Sequence, residues 1–265
     1  MGDLNSQRYL SKELSQEKRQ VLSLNAELWR IIIIDMTESV TVNFKQTFPI
    51  FPLPETILLP HAIMPLSVFE PRYCQLTDHA LDGSGQIAIA TYCDSTESQG
   101  EGVMTPIRNV VCLGQIVQHE KARNGYNMMV YGLCRAIILE EIVAETELLY
   151  RTAKLKMLEK DEDELDEIFR VELLHMLNRP NLLRLENHKL IMEWVVESKL
   201  SNSALFELIG CSVFDDSELR YELLAEPSSE KRSRRVLSEL SRLDRMLSMI
   251  ENQPSKQLDS GLTEN

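Results

Sequence analysis

Apolar and polar positions follow two different rhythms along this chain. Through residues 47–157 they alternate or run in short Val-, Ile- and Tyr-rich blocks, and from about residue 160 they recur every three to four positions. The first rhythm places successive side chains on opposite faces of a strand, and the second builds one face of a helix. Strands are therefore expected at 47–52, 56–59, 64–69, 86–92, 107–120, 126–132, 134–143 and 148–157. Asn124-Gly125 lies between two of them and offers the positive φ angles of a tight hairpin turn. Phe69-Glu70-Pro71-Arg72-Tyr73 reads as a strand end followed by a helix start, because proline at the first helical position loses no hydrogen bond. Cys93 to Thr105 is a polar loop.

Helices are expected at 162–178, 184–200, 202–209, 217–225 and 229–251. The acidic run Asp161 to Glu167 suits a helix N-terminus, where the dipole favours negative charge. Asn178-Arg179-Pro180 should stop the first helix, Gly210 should cap the third, and Asp215 with Glu218 has capping-box spacing. Val236, Leu240, Leu243, Leu247 and Ile250 give the last helix a packing seam. Strands first and helices afterwards, without βαβ alternation, make an α+β protein of two subdomains. The expected division is an extension over 1–45, partly helical or disordered, a β subdomain over 46–158, a helical subdomain over 159–252 and a flexible tail over 253–265. Within the extension, residues 6–28 form a polar helix pattern with an apolar stripe at Leu10, Leu14, Val21 and Leu24. Its charges balance, five basic against five acidic in residues 1–35, and it reads as an appendage with Met36 as the natural start.

The net charge of −13 therefore belongs to the rest of the chain and argues against nucleic-acid binding, which needs a clustered basic surface. Lys231-Arg232 and Arg234-Arg235 oppose the dipole at the start of the last helix. They read as a solvated face paired with Glu230 and Glu239, or else as a surface for an acidic partner. Five cysteines without a C-x-x-C pair read as reduced, buried thiols, and no apolar run approaches the roughly 20 residues of a membrane span, so the expected location is cytoplasmic. No phosphate-cradling glycine loop, metal-ligand spacing or nucleophile motif occurs, so neither catalytic residues nor a metal or cofactor are expected.

Phe51-Pro52-Leu53-Pro54, Ile57-Leu58-Leu59-Pro60 and Pro65 to Tyr73 together resemble the opening signature of the Lon protease amino-terminal domain. So do Cys112-Leu113-Gly114-Gln115-Ile116, Asn124-Gly125-Tyr126-Asn127 and Gly132-Leu133-Cys134-Arg135. His61-Ala62, where that family commonly has a glycine turn, and Arg123, where it often has Asp, depart from the pattern. The resemblance implies a PUA-like β pseudo-barrel followed by a helical bundle. In Lon proteases this region helps capture unfolded or tagged substrates and supports hexamer assembly, ahead of Walker ATPase and Ser–Lys peptidase domains that have no counterpart motifs here. The expectation is a stand-alone, non-catalytic module for unfolded or tagged polypeptides, working with a separate protease or as a homo-oligomer. The PUA-like fold leaves RNA or small-ligand binding as the alternative. Phe69, Pro71 and Tyr73 are expected to join strand to helix and fill core, with Glu70 and Arg72 holding the corner by charge-assisted hydrogen bonds. The peptide site is expected at an exposed apolar patch formed by Ile57, Leu58, Ile63 and Met64.

Overall fold

The computed structural model describes residues 40–93, 105–142, 148–158, 165–197 and 200–251 of the 265-residue chain. The expected helix at 6–28, the tail from 253 and most of the polar loop after Cys93 lie outside the described residues. Six strands come first, with one helix among them: β1 (Thr47–Leu53), β2 (Ile63–Val68), α1 (Pro71–Asp82), β3 (Gln86–Thr91), β4 (Val110–Ala122), β5 (Gly125–Ile142) and β6 (Arg151–Met157). Five helices follow: α2 (Glu167–Leu177), α3 (His188–Glu197), α4 (Asn202–Val213), α5 (Ser217–Ala225) and α6 (Ser229–Glu251). A 3₁₀ turn at Leu182–Arg184 precedes α3. The molecule is thus α+β with a mixed sheet.

β1 and β3 run parallel, and every other described pairing is antiparallel. The expected strands 126–132 and 134–143 are one strand, because β5 continues through Leu133 and serves two partners. Its first part pairs with β2, Tyr126 opposite Val68 and Tyr131 opposite Ile63, and its last part pairs with β6 from Ala136 to Ile142. Pairings run β5–β4–β3–β1–β6 and return to β5, with β2 attached outside that ring.

This arrangement divides the apolar side chains between two cores. Phe48, Ile50, Ala88, Ala90, Val111, Leu113, Ala136 and Ala153 form the smaller cluster, built from strand residues. Alternate positions, including Ile87, Ile89, Cys112, Met128 and Val130, belong to a second, larger cluster with Leu173, Leu205, Phe206, Leu223 and Leu240 of the helices. β3 is therefore buried along its whole length.

Most helix ends agree with the capping signals. Pro71 opens α1, and Asn178 closes α2. Two do not. α4 runs through Gly210 to Val213, since the missing side chain there admits Leu223, 3.0 Å from where a Cβ would sit. Asp216 rather than Asp215 caps α5, its carboxylate accepting from the Leu219 amide at 3.0 Å. Among the described residues, no helix is long and apolar enough to cross a membrane.

Candidate recognition surface

The 54–62 segment is apolar and lies between two strands, yet it is not itself a strand. Glu55 and His61 both take positive φ, 49° and 65°, and the chain turns at each. His61 stands where the resemblance anticipates a glycine; histidine is one of the few other residues that enters this region with some frequency. The segment is fastened to β5 by its backbone: the His61 amide donates to the Gly132 carbonyl at 2.8 Å, and the Gly132 amide donates to that of Ala62 at 2.9 Å. Gly132 is required by this approach, because a Cβ there would lie 2.3 Å from the Leu59 carbonyl oxygen. Leu59 then points to the helices and meets Gly210.

That fastening overturns the expected exposed patch. Ile57 (5% exposed), Leu58 (2%), Ile63 (8%) and Met64 (9%) are all buried in the larger core. The 54–62 segment is a plug between the sheet and the helices, and its apolar density serves packing.

The corner after β2 differs in the opposite sense. Phe69 does not fill core: it is 73% exposed, although Val68 before it and Tyr73 after it are buried. Pro71 is exposed too. Gly125 sits against this corner so closely that a Cβ would fall 1.8 Å from the Val68 carbonyl oxygen and 3.1 Å from the Phe69 Cα. The hairpin is present as expected, with Ala122 opposite Gly125, but its two turn residues are Arg123 and Asn124, and Asn124 does not take positive φ. Gly125 is thus needed for close approach rather than for the turn pair. On the other side, the Arg72 guanidinium donates to the Glu70 carboxylate at 2.6 Å and lies 4.8 Å from the Tyr73 ring centroid. Tyr73 stacks on Phe51, with centroids 4.4 Å apart. Tyr126 of the hairpin donates to Asp78 of α1. Phe69 is an aromatic ring displayed on a braced backbone.

Arg135, the last residue of the Gly132-x-x-Arg135 element, is buried. It donates to Glu207 of α4 at 2.6 Å and to the Leu223 carbonyl of α5 at 3.2 Å. Arg232 of α6 donates to the other Glu207 oxygen at 2.7 Å and to the Glu226 carbonyl at 2.8 Å. Arg232 therefore departs from the basic cluster's expected solvated face. Its neighbours conform in part: Arg234 pairs with Glu230 and Arg235 with Glu239. Glu207 was legible as a lone carboxylate in the apolar run Ala204 to Gly210, but its two partners lie far off in sequence. Around this clamp, Arg108 pairs with Glu218, and the Val110 amide donates to the Tyr221 hydroxyl at 3.2 Å.

The remaining titratable groups are dispersed. Among the described residues, no three His, Cys, Asp or Glu side chains come together as a metal site would require. His61 Nδ1 lies 3.2 Å from the Tyr131 hydroxyl, and His79 Nδ1 lies 2.7 Å from that of Tyr150. Of the five cysteines, Cys112 and Cys134 are buried, while Cys74, Cys93 and Cys211 are partly covered. Burial pushes the Cys112 thiol well up and that of Cys211 up to about 11, which keeps both protonated and poorly nucleophilic.

Comparison with known proteins places this geometry. Residues 47–242 match the ATP-dependent protease La (LON) substrate-binding domain. The fold is similar to the N-terminal domain of Lon protease from Mycobacterium avium complex, with a TM-score of 0.55 and 21% identity over 74% of this chain and 98% of that one. It is also similar to a Lon N-terminal domain protein from Xanthomonas campestris, with a TM-score of 0.50 and 18% identity over 73% of this chain and 98% of that one. No curated protein matches the sequence.

Proposed function

The chain belongs to the ATP-dependent protease La (LON) substrate-binding domain family, and from that premise we propose that it recognises unfolded or tagged polypeptides and catalyses nothing itself. The family match over residues 47–242 is the observation that carries this reading, since it spans both the sheet and the helices. In this reading the ring of strands is a PUA-like pseudo-barrel over residues 46–158, and residues 159–252 are its helical companion. A separate protease or further copies of the chain supply whatever acts on the captured polypeptide, in the cytoplasm.

Phe69 is the contact residue in this proposal. Aromatic and arginine side chains dominate binding energy at protein interfaces, and a side chain held rigidly before binding loses less entropy on contact. Phe69 is an exposed aromatic ring, and its backbone is braced by the close approach of Gly125 and by the start of α1. Ile57, Leu58, Ile63 and Met64 support that corner from inside.

The test is titration of a fluorescently labelled, permanently unfolded polypeptide into the full chain, followed by anisotropy. Saturable binding is expected, and it should change little as salt rises from roughly 50 to 200 mM, because burial of apolar surface is not screened. No binding beyond that of a folded control protein contradicts the proposal. A steep loss with salt points instead to a polyanion site.

A further inference from the structure

We propose that β2 takes up the unfolded polypeptide as an added strand, through main-chain hydrogen bonds along its outer edge; this rests on the recognition reading above. Among the described residues, β2 pairs with β5 alone. In an antiparallel pair, residues whose N–H and C=O face the partner strand alternate with residues whose groups face away. The Gly132 amide donates to the Ala62 carbonyl at 2.9 Å, and that bond fixes the phase of the alternation. Met64, Leu66 and Val68 therefore turn their backbone groups toward β5, while Ile63, Pro65 and Ser67 turn theirs outward.

Two observations agree with this phase. Pro65 has no N–H, and a sheet tolerates proline where that group would point away from the neighbouring strand. Ser67 stands opposite Asn127 and its hydroxyl donates to Asn127 Oδ1 at 3.0 Å, as befits a pair without mutual backbone bonds, whose side chains lie closer. Pro65 and Ser67 are both exposed, so solvent reaches the edge. It offers the Pro65 carbonyl and the Ser67 amide and carbonyl, with the exposed Phe69 two residues further on.

Unpaired strand groups in this order are complementary to an extended backbone that carries N–H on alternate residues. A polypeptide without fixed structure supplies such a backbone with little regard to its sequence. The outer arm of the hairpin at 118–122 also lacks a second described partner strand, but Glu120 and Lys121 place charges there, which discourages strand addition. A second copy is the poorer occupant, because two such short edges fall well short of the roughly 800 Å² per partner that a stable association of folded molecules buries.

The experiment compares Ser67→Pro with Ser67→Ala in the full chain. Both lack the hydroxyl, and only the proline variant also lacks the outward N–H. The probe is the labelled unfolded polypeptide of the recognition test. Ser67→Pro should bind it at least about tenfold more weakly than Ser67→Ala, since a hydrogen bond is lost and the proline ring stands in the path of the incoming strand. The two thermal midpoints should agree, because an outward amide holds nothing within the sheet. Amide exchange in the natural chain gives a reading independent of either variant: the Ser67 amide should exchange more slowly once the polypeptide is bound. Equal affinity of the two variants, or Ser67 exchange unaltered by bound polypeptide, overturns the strand-addition proposal and leaves polypeptide recognition standing. A lower midpoint for Ser67→Pro overturns it as well, by showing that the amide already has a partner in the sheet. Ser67 protection in the free chain that vanishes on dilution assigns the edge to a second copy instead. Absence of binding by the natural chain removes the recognition reading and this proposal together.

Discussion

The plug around Ile57 to Met64 and the corner at Phe69 lie close together in sequence, have the same apolar character, and end on opposite sides of the protein surface. In the plug, positive φ at His61 and the bare Cα of Gly132 bring the chain close enough for Leu58 and Leu59 to enter the core. At the corner, Gly125 and the start of α1 also press on the backbone, but they hold it with the Phe69 ring outward. Hydrophobicity alone does not distinguish core from exposed surface; backbone geometry does. A family signature can thus contain residues of both kinds within one short stretch.

Substitutions separate the two regions by size of effect. Ile63→Asp with Met64→Asp places two carboxylates in a dry core and should cost more than about 4–5 kcal/mol, enough to unfold the chain. Far-UV circular dichroism and a thermal scan check this; a folded double variant would mean that the plug is not packed. Glu207→Gln should cost about 3–5 kcal/mol, because it leaves Arg135 and Arg232 buried together without their counter-charge. The loss should appear as a lower urea midpoint, and replacing both arginines as well should recover part of it. Gly125→Ala forces a methyl group onto the Val68 carbonyl and should destabilise by about 1–3 kcal/mol. It should also weaken polypeptide capture, since it moves the backbone that carries Phe69.

The smallest expected effect is on alkaline stability. The Cys211 thiol is raised from 9.0 to about 11 in the folded chain, so the folded state holds its proton more firmly than the unfolded state does. The associated stability is complete below pH 9 and is lost as pH rises through 11. Cys211→Ala should therefore show a shallower fall in urea midpoint between those pH values than the natural chain. The same burial predicts that alkylation of the native protein reaches the partly covered Cys74 and Cys93 before Cys112.

Much of this architecture is written in local pattern. The period change near residue 160, the ends of α5 and α6, Pro71 at the start of α1 and the hairpin between β4 and β5 all follow from neighbours in sequence. The family resemblance was legible for the same reason, since its motifs are local and ordered. What sequence did not disclose depends on residues far apart. The close approach of the plug to β5 depends on Gly132, and that of the hairpin to the Val68–Phe69 backbone depends on Gly125. Arg232 reads as one more surface cation until Glu207 and Arg135 are brought to it by the docking of α4 and α6 on the sheet. Gly210 looks like a helix cap in sequence and is instead the place where Leu223 and Leu59 meet α4.

The central claim is that this chain recognises polypeptides through Phe69, and one paired measurement tests it most directly. The natural chain and Phe69→Ser are compared for anisotropy of the same labelled unfolded polypeptide and for thermal midpoint. An exposed hot-spot ring worth about 2 kcal/mol corresponds to a rise in Kd of roughly thirtyfold, with the midpoint essentially unchanged. Equal affinity of the two chains, with both folded, would contradict the account.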